Sequence, residues 1–349
     1  MYLKGENHMP HIRLSRQFLM FAQQECQGSS PLYEHLANKI ANDEDLLDIA
    51  SLIPQGQPAP NLLLAAVHYL LSTSNDPLTN YYASFAPFPH PIQEVFPIFK
   101  AFVLSHTNEL TTLFQEKLVQ TNEIRRCAYL YPMMTEIYAK HQQPLAFIEI
   151  GASAGLQLGM DRYNYCYNQH LAITNTKNDI VLISENRGET LPASLSKPPV
   201  VWQRIGIDLH PIDLGNKEES QWLQALIWPE HHERRMLFNQ ALPIINQLDI
   251  QLVKGDAIQL IKELSRTIEQ EAMLVIYHTH VANQIPIELR HTLIEQLKEI
   301  SLERPLYHCY NNLFDVQLHQ DFINQGTIEL IRIMERPDGH GRWFQWSNS

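Results

Sequence analysis

Basic residues are in short supply. Lys and Arg number 26 against 38 Asp and Glu, a net charge of −12. A polyanionic partner needs a basic face, so neither nucleic acid nor an anionic membrane surface is expected as a main partner. Cysteine is sparse too. Cys26, Cys127, Cys166 and Cys309 lie far apart, with no C-x-x-C pair, which argues against a disulfide framework and fits a reduced, cytoplasmic chain. No apolar run approaches roughly 18 residues, and the N-terminus lacks a basic, apolar and cleavage-site pattern. A soluble intracellular protein is therefore expected. There is no internal repeat and no low-complexity linker. Glycine is nearly missing from the early part, where Gly5, Gly28 and Gly56 alone precede residue 150. What remains is globular in character: 349 residues, 44% hydrophobic and 18% charged, enough for an enzyme core and a second domain.

The two parts differ in pattern. Residues 1–143 read as a helical region. Leu32, Leu36, Ile40, Leu46, Leu47 and Ile49 recur at helical intervals. "NLLLAAVHYLLST" starts at a capping-type Asn61 after a Pro-rich break, and Pro132 is expected to kink or split the helix of "NEIRRCAYLYPMMTEIYAKH". Residues 144–349 read as alternating strands and helices. "LAFIEI" (145–150) is a short apolar run fit for a strand buried on both faces. "VVWQRIGID" (200–208), "DIQLVKGDA" (249–257), "AMLVIYHTH" (272–280) and "PLYHCYN" (305–311) follow, most with a helical pattern after them. "TIELIRIMER" and "GRWFQWS" flank Pro337-Asp338-Gly339 and predict a closing hairpin. An inserted hairpin is expected near 170–200. The fold class that results is α/β: a mostly parallel, Rossmann-like sheet with a C-terminal antiparallel hairpin, preceded by helices.

Gly151-Ala152-Ser153-Ala154-Gly155 follows the first strand, and two chemistries use such a turn. It matches the G-x-S-x-G elbow of a nucleophilic serine, and with Glu149 it approximates the acidic, glycine-rich loop that holds S-adenosylmethionine. It also fits a tight strand-helix turn with no ligand. A hydrolase elbow follows several earlier strands, whereas this loop follows the first. The spacing is not the dinucleotide G-x-G-x-x-G. Later strand ends carry Asp208 in "GIDLHP" and Asp256, with Ala257, in "KGDAIQL". A carboxylate at such an end can accept from ribose hydroxyls or an adenine amino group, or it can cap the next helix.

Glu149–Gly155, Asp208 and Asp256 resemble the first, second and third cofactor motifs of class I S-adenosylmethionine-dependent methyltransferases, over roughly residues 145–347. Two departures stand out. Ser153 replaces the middle glycine, and about fifty residues rather than about twenty separate the first two motifs. Glu185, in "DIVLISENRG", is then the rival of Asp208 as ribose ligand. Over nearly its full length the chain also resembles the bacterial family DUF2332, through "GSSPLYEHLA", "GQPAPNLLLAAVHYLL", "TNEIRRCAYLYP", "EIGASAGLQLGMDRYNY", "RIGIDLHPIDL" and "WLQALIWPEHHERR". The resemblance implies a methyltransferase-like sheet behind a helical region. It implies S-adenosylmethionine as cofactor, with Glu149, Gly151, Ser153, Gly155, Asp208, Asp256 and Ala257 as its binding residues, and no established substrate.

The acceptor side is read from the residues. His278 and His280 would share a face on a continuing strand, and either is a candidate general base. "YHTH" departs from the Asn/Asp-Pro-Pro-aromatic motif of enzymes that methylate nucleic-acid amino groups, which argues for a different acceptor, or for no transfer at all; a small-molecule acceptor is expected. In "TNEIRR", Asn122 and Arg126 are candidate substrate contacts, with Arg125 and Arg126 suited to an anion. Tyr163 is a candidate pocket wall, with Tyr165 and Tyr167 beside it. A zinc site would need His278, His280 and His308, but no short metal motif supports one. A non-catalytic adenosyl-binding protein and a serine hydrolase using Ser153 remain as alternatives.

Overall fold

The computed structural model describes residues 8–174 and 176–348. In chain order it contains α1 (His8–Phe21), α2 (Pro31–Ile40), α3 (Glu44–Ser51), α4 (Ala59–Leu71), α5 (Val95–Ser105), α6 (Thr107–Glu116) and α7 (Cys127–His141). There follow β1 (Leu145–Ile150), β2 (Asn164–Tyr167), β3 (Leu171–Ile173), β4 (Val181–Asn186) and β5 (Val201–Asp208). After α8 (Lys217–Ala225) and α9 (His232–Ile245) come β6 (Gln251–Lys254), α10 (Ala257–Arg266), β7 (Met273–His278) and α11 (Ile287–Glu303). The chain closes with β8 (Leu306–Asn311), β9 (Leu318–Asn324), β10 (Thr327–Met334) and β11 (Trp343–Phe344).

These elements form two compact units. One runs up to Thr121 and takes in Asn216–Met236; the other holds Asn122–Gly215 and Leu237 onward. The first is helical. Its apolar stripes close on a core that includes Leu36, Ile40, Leu46, Leu63 and Phe99. Trp222 of α8 is buried in the same core, with Nε1 donating to Leu118 O at 2.9 Å. Ser30 and Asp43 cap α2 and α3 with their side chains. Helix α4 begins at Ala59 behind Pro58, so Asn61 lies inside its first turn and is not its cap.

The second unit is built on a seven-stranded sheet in the order β10-β9-β8-β7-β1-β5-β6. Strands β6, β5, β1, β7 and β8 run parallel. Strand β9 is antiparallel to both β8 and β10. Alternation along each strand sends side chains to two different layers. On one face Ile148, Ile205, Ile207, Leu274, Ile276 and Leu306 meet α10 and α11, whose Ile258, Ile261, Leu264, Leu293, Leu297 and Ile300 fall at helical intervals. The other face meets α7. Tyr307 receives a 3.0 Å hydrogen bond from, or gives one to, His141, and Arg332 pairs with Glu136 at 2.6 Å. These contacts put α7 with the sheet unit, so the boundary falls at residue 121/122 rather than 143/144.

Three sequence expectations change in detail. Helix α7 runs unbroken through Pro132. Pro132 has no N–H to offer Ala128 O, and the Tyr167 hydroxyl donates to that carbonyl instead, at 2.9 Å. The closing hairpin is β9–β10, turned at Gln325-Gly326 with φ of 51° and 73°, so "TIELIRIMER" is its second strand. "GRWFQWS" supplies β11, which lies in a smaller sheet of order β11-β4-β2-β3. The insertion between β1 and β5 builds the rest of that sheet. Its hairpin is β2–β3, and β4, carrying "VLISEN", runs parallel to β2.

Candidate functional site

The loop after β1 is fixed by its own backbone. Gly151, Ser153 and Gly155 have φ of 71°, 49° and 70°. Three left-handed residues at alternate positions fold the chain back on itself. A Cβ on Gly151 would stand 2.5 Å from Val281 Cγ2, so only glycine fits there. The loop is followed by a 3-10 turn, Leu156–Arg162, and not by the α-helix expected from the sequence.

Each of the loop's five N–H groups is donated inside the protein. Gly151 and Ala152 donate to Ile207 O at 2.8 and 3.2 Å, and Gly155 donates to Ala152 O at 2.8 Å. Ser153 N donates to Asp208 Oδ2 at 2.8 Å, and Ala154 N donates to Asn122 Oδ1 at 3.4 Å. A phosphate cradle needs such groups turned outward toward the ligand. The N–H groups of this loop are turned inward instead.

Asp208, at the end of β5, ties the neighbouring turns together, since its Oδ1 also accepts from His210 N at 2.8 Å. Asn122 Nδ2 donates to Ser153 Oγ at 2.8 Å. Among the described residues no histidine or carboxylate hydrogen-bonds that hydroxyl, which leaves Ser153 without the base a nucleophile needs. Glu149 is 3% exposed, on the face shared with Tyr277, whose hydroxyl lies 3.5 Å from its Oε2. Burial, reinforced by Asp208, pushes its carboxyl well above the usual range, against the opposing pull of Tyr277 and Arg126.

The structure therefore gathers Glu149, Gly151, Ser153, Gly155, Asp208, Asn122 and Arg126 around the carboxyl ends of β1 and its neighbours. Asp256 also lies at this end, since Gly255 N donates to Asp208 O at 2.9 Å, but the remaining candidates are placed in other roles. Asp256 is the N-cap of α10, accepting from Ile258 N at 2.9 Å, and Ala257 is the first residue of that helix. Tyr163 is fully buried, its hydroxyl donating to Leu156 O at 2.7 Å, and is no pocket wall. Tyr165 and Tyr167 likewise spend their hydroxyls on the backbone, at Met160 O and Ala128 O. Glu185 is exposed on β4 and paired with Arg187 at 2.7 Å.

His278 and His280 do not share a face, because the strand ends at His278 and His280 turns to φ 58°. His278 is 1% exposed, with Nε2 3.2 Å from Nε2 of His308 in the α10/α11 layer. Burial pushes it down to about 3, so it stays neutral and shut away from an acceptor. His280 N donates to Asn311 Oδ1 at 2.8 Å, and its Nδ1 lies 3.2 Å from Asn312 Nδ2. That amide nitrogen is a donor, so Nδ1 accepts and the ring proton sits on Nε2. Burial, with Arg126, Arg336 and His340 around it, pushes His280 down to about 3. His278 is buried away from any acceptor and His280 has its Nδ1 lone pair engaged by Asn312, so neither imidazole is presented as a general base. Among the described residues no three His, Cys, Asp or Glu could hold a metal ion, and no helix is long and apolar enough to cross a membrane.

A second set of residues had little sign in the sequence. The segment 337–341 packs on the turn before α7. Arg126 Nε donates to Gly339 O at 2.9 Å, and His340 Nδ1 lies 3.0 Å from Glu123 Oε2. A Cβ on Gly341 would stand 2.5 Å from Arg125 O. Burial opposes the ionisation of Asp338, yet bidentate Arg342 and two backbone N–H groups hold it down at about 2. "RPDGHG" read as a turn, and its partner, 213 residues away in sequence at Arg126, had no local signal.

Over residues 15–346 the chain matches the family described as uncharacterized protein conserved in bacteria (DUF2332). It belongs to that family. No curated protein and no solved structure matches it. The DUF2332 match takes in both units, so the loop at β1 and the segment at 337–341 are both parts of the family's chain.

Proposed function

We propose that this DUF2332 protein binds S-adenosylmethionine at the carboxyl end of β1 and transfers its methyl group to a small molecule. The observation that carries the reading is the Asp208–Ser153 bond, which locks a left-handed glycine loop against a carboxylate on the adjacent strand. Further support comes from topology. With the sheet's strands numbered along the chain, their order begins 3-2-1-4-5-6, as in doubly wound nucleotide-binding sheets, although here the sixth is antiparallel. The chain moves from β1 to β5 and β6 on one side and to β7 and β8 on the other, so β1 and β7 flank the switch point where such sheets take ligands.

The loop favours an adenosyl ligand over a dinucleotide, since its N–H groups are already donated. Each Asp208 oxygen accepts a backbone N–H, and a strand-end carboxylate is the group that accepts from ribose hydroxyls in nucleotide-binding sheets. When bound, the cofactor would supply an electrophilic methyl group; this chain's residues would orient it. A second reading, a non-catalytic adenosyl-binding protein, is favoured by the burial of His278 and by the engagement of His280 Nδ1 by Asn312.

The ribose assignment can be tested by titrating variants with S-adenosylhomocysteine. A carboxylate bonded to a hydroxyl contributes about 1.5–3 kcal/mol, or roughly 10- to 150-fold in affinity. Asp208→Ala should approach the upper end and Asp208→Asn the lower. Glu185→Ala should change affinity by less than about threefold, because its carboxylate is spent on exposed Arg187. A larger defect in Glu185→Ala than in Asp208→Ala would reverse the assignment.

A further inference from the structure

We infer that Arg126 and His280 form a recognition site for an oxyanion, a carboxylate or a phosphate, of the small molecule that binds at this end of the sheet. The inference rests on the small-molecule reading above and adds the charge of that molecule.

Arg126 is 7% exposed. Among the described residues its guanidinium makes one hydrogen bond, from Nε to Gly339 O, and no ion pair within 4.0 Å. The two terminal nitrogens, with four N–H groups between them, are left over. A guanidinium fork held in place by one bond, with its terminal nitrogens unengaged, is ready to take a counter-charge. Glu149 is the carboxyl whose ionisation Arg126 favours, but it lies in the β1–β7 layer on Tyr277 and makes no hydrogen bond with the arginine. Asp338 is spent on Arg342.

His280 carries the matching donor. With Nδ1 accepting from Asn312, the proton lies on Nε2, which is buried and has no hydrogen-bond partner. The two side chains flank one residue: Arg126 bonds Gly339 O, and the position of a Gly339 Cβ lies 3.9 Å from His280 Cε1. Tyr129, one turn along α7 from Arg126, turns its buried hydroxyl to Thr279, next to His280. Val281, the next residue, packs on Gly151. A set of unused donors, one of them charged, thus sits beside the β1 loop. A planar fork and an N–H suit a carboxylate or phosphate and are useless to an apolar or cationic ligand.

The test is a titration of the full chain, without S-adenosylmethionine, with sodium acetate and with inorganic phosphate at constant ionic strength. The readout is the ring-nitrogen resonances of 15N-labelled histidine. A saturable shift of the His280 Nε2 signal is expected with at least one anion, the tighter one naming the class. In Arg126→Gln the apparent affinity should fall by about tenfold or more. Arg126→Lys, which keeps the charge but not the fork, should lie between and shows whether the fold survives. No saturable shift in the wild type, or equal affinity in Arg126→Gln, would overturn the assignment. Because no adenosyl compound is present, either result leaves the cofactor reading to be judged on its own.

Discussion

Gly151→Ala is expected to destabilise the protein by roughly 2–5 kcal/mol. Two costs add. An L-residue in the left-handed region costs about 1–2 kcal/mol, and φ at Gly151 is 71°. Overpacking costs about 1–3 kcal/mol more. The new Cβ would stand 2.5 and 2.8 Å from the two Val281 methyls and 3.2 Å from Val281 Cβ, so a rotamer change cannot clear it. Urea unfolding of Gly151→Ala, Val281→Ala and the double variant separates the two costs. The double variant should regain the steric part and keep the backbone part. A loss below about 0.5 kcal/mol in Gly151→Ala, within the range of an ordinary surface change, would mean that the loop is not held in this conformation.

The second large effect is acid lability from the buried histidine pair. Burial holds His278 at about 3 and His308 well below its ordinary value, His278 and His319 adding to the depression of His308. Unfolded, both would titrate near 6.5. Between those values the unfolded chain binds more protons than the folded one, so stability rises with pH. The contribution is complete above about pH 6.5 and is lost as pH falls toward 3. At pH 5 His278 accounts for about 2 kcal/mol of that loss, and His308 adds to it in the same direction. Glu149 and Asp321 act with the opposite sign, since burial raises both carboxyls and the folded chain takes up their protons first. Comparison with a His278→Leu/His308→Leu variant cancels their part. Replacing both partners together avoids leaving one unsatisfied. Between pH 7 and 5 the wild type should lose at least about 2 kcal/mol more than the variant in urea unfolding. Equal losses would place the two rings in contact with solvent.

The strands of the central sheet were legible because they are buried on both faces. "LAFIEI" is β1 to the residue, and the expected runs at 200–208, 272–280 and 305–311 contain β5, β7 and β8. Strand β9 was not legible. Its "LHQDFIN" carries Gln320 and Asp321, which look solvated in sequence. Both are buried, because Arg332 bonds Gln320 and the Tyr310 hydroxyl bonds Asp321 across the sheet. Pro132 misled for a related reason: the carbonyl it leaves unbonded is served by Tyr167, 35 residues on in sequence and in another sheet.

At the site, the residues set by local backbone chemistry were readable and those set by distant partners were not. The glycine pattern and Asp208 stood out as a loop and a strand-end acid. Asp256, with the same signature as Asp208, proved to be a helix cap, since the N–H it meets is its own, two residues on. Nothing local distinguishes the two carboxylates; Asp208 differs because β5 lies beside β1. Arg126 was readable as a candidate for an anion, but the contact that aims it, Gly339 O, lies far along the chain.

The central claim is adenosyl binding at the β1 loop, and calorimetric titration of the purified chain with S-adenosylmethionine and S-adenosylhomocysteine tests it most directly, with a thermal scan beside it. Saturable heat at one site per chain is expected, with unfolding displaced upward by about 2.7 kcal/mol once ligand reaches a hundredfold excess over Kd. A folded protein that gives neither heat nor thermal displacement with either compound at millimolar concentration would contradict the claim.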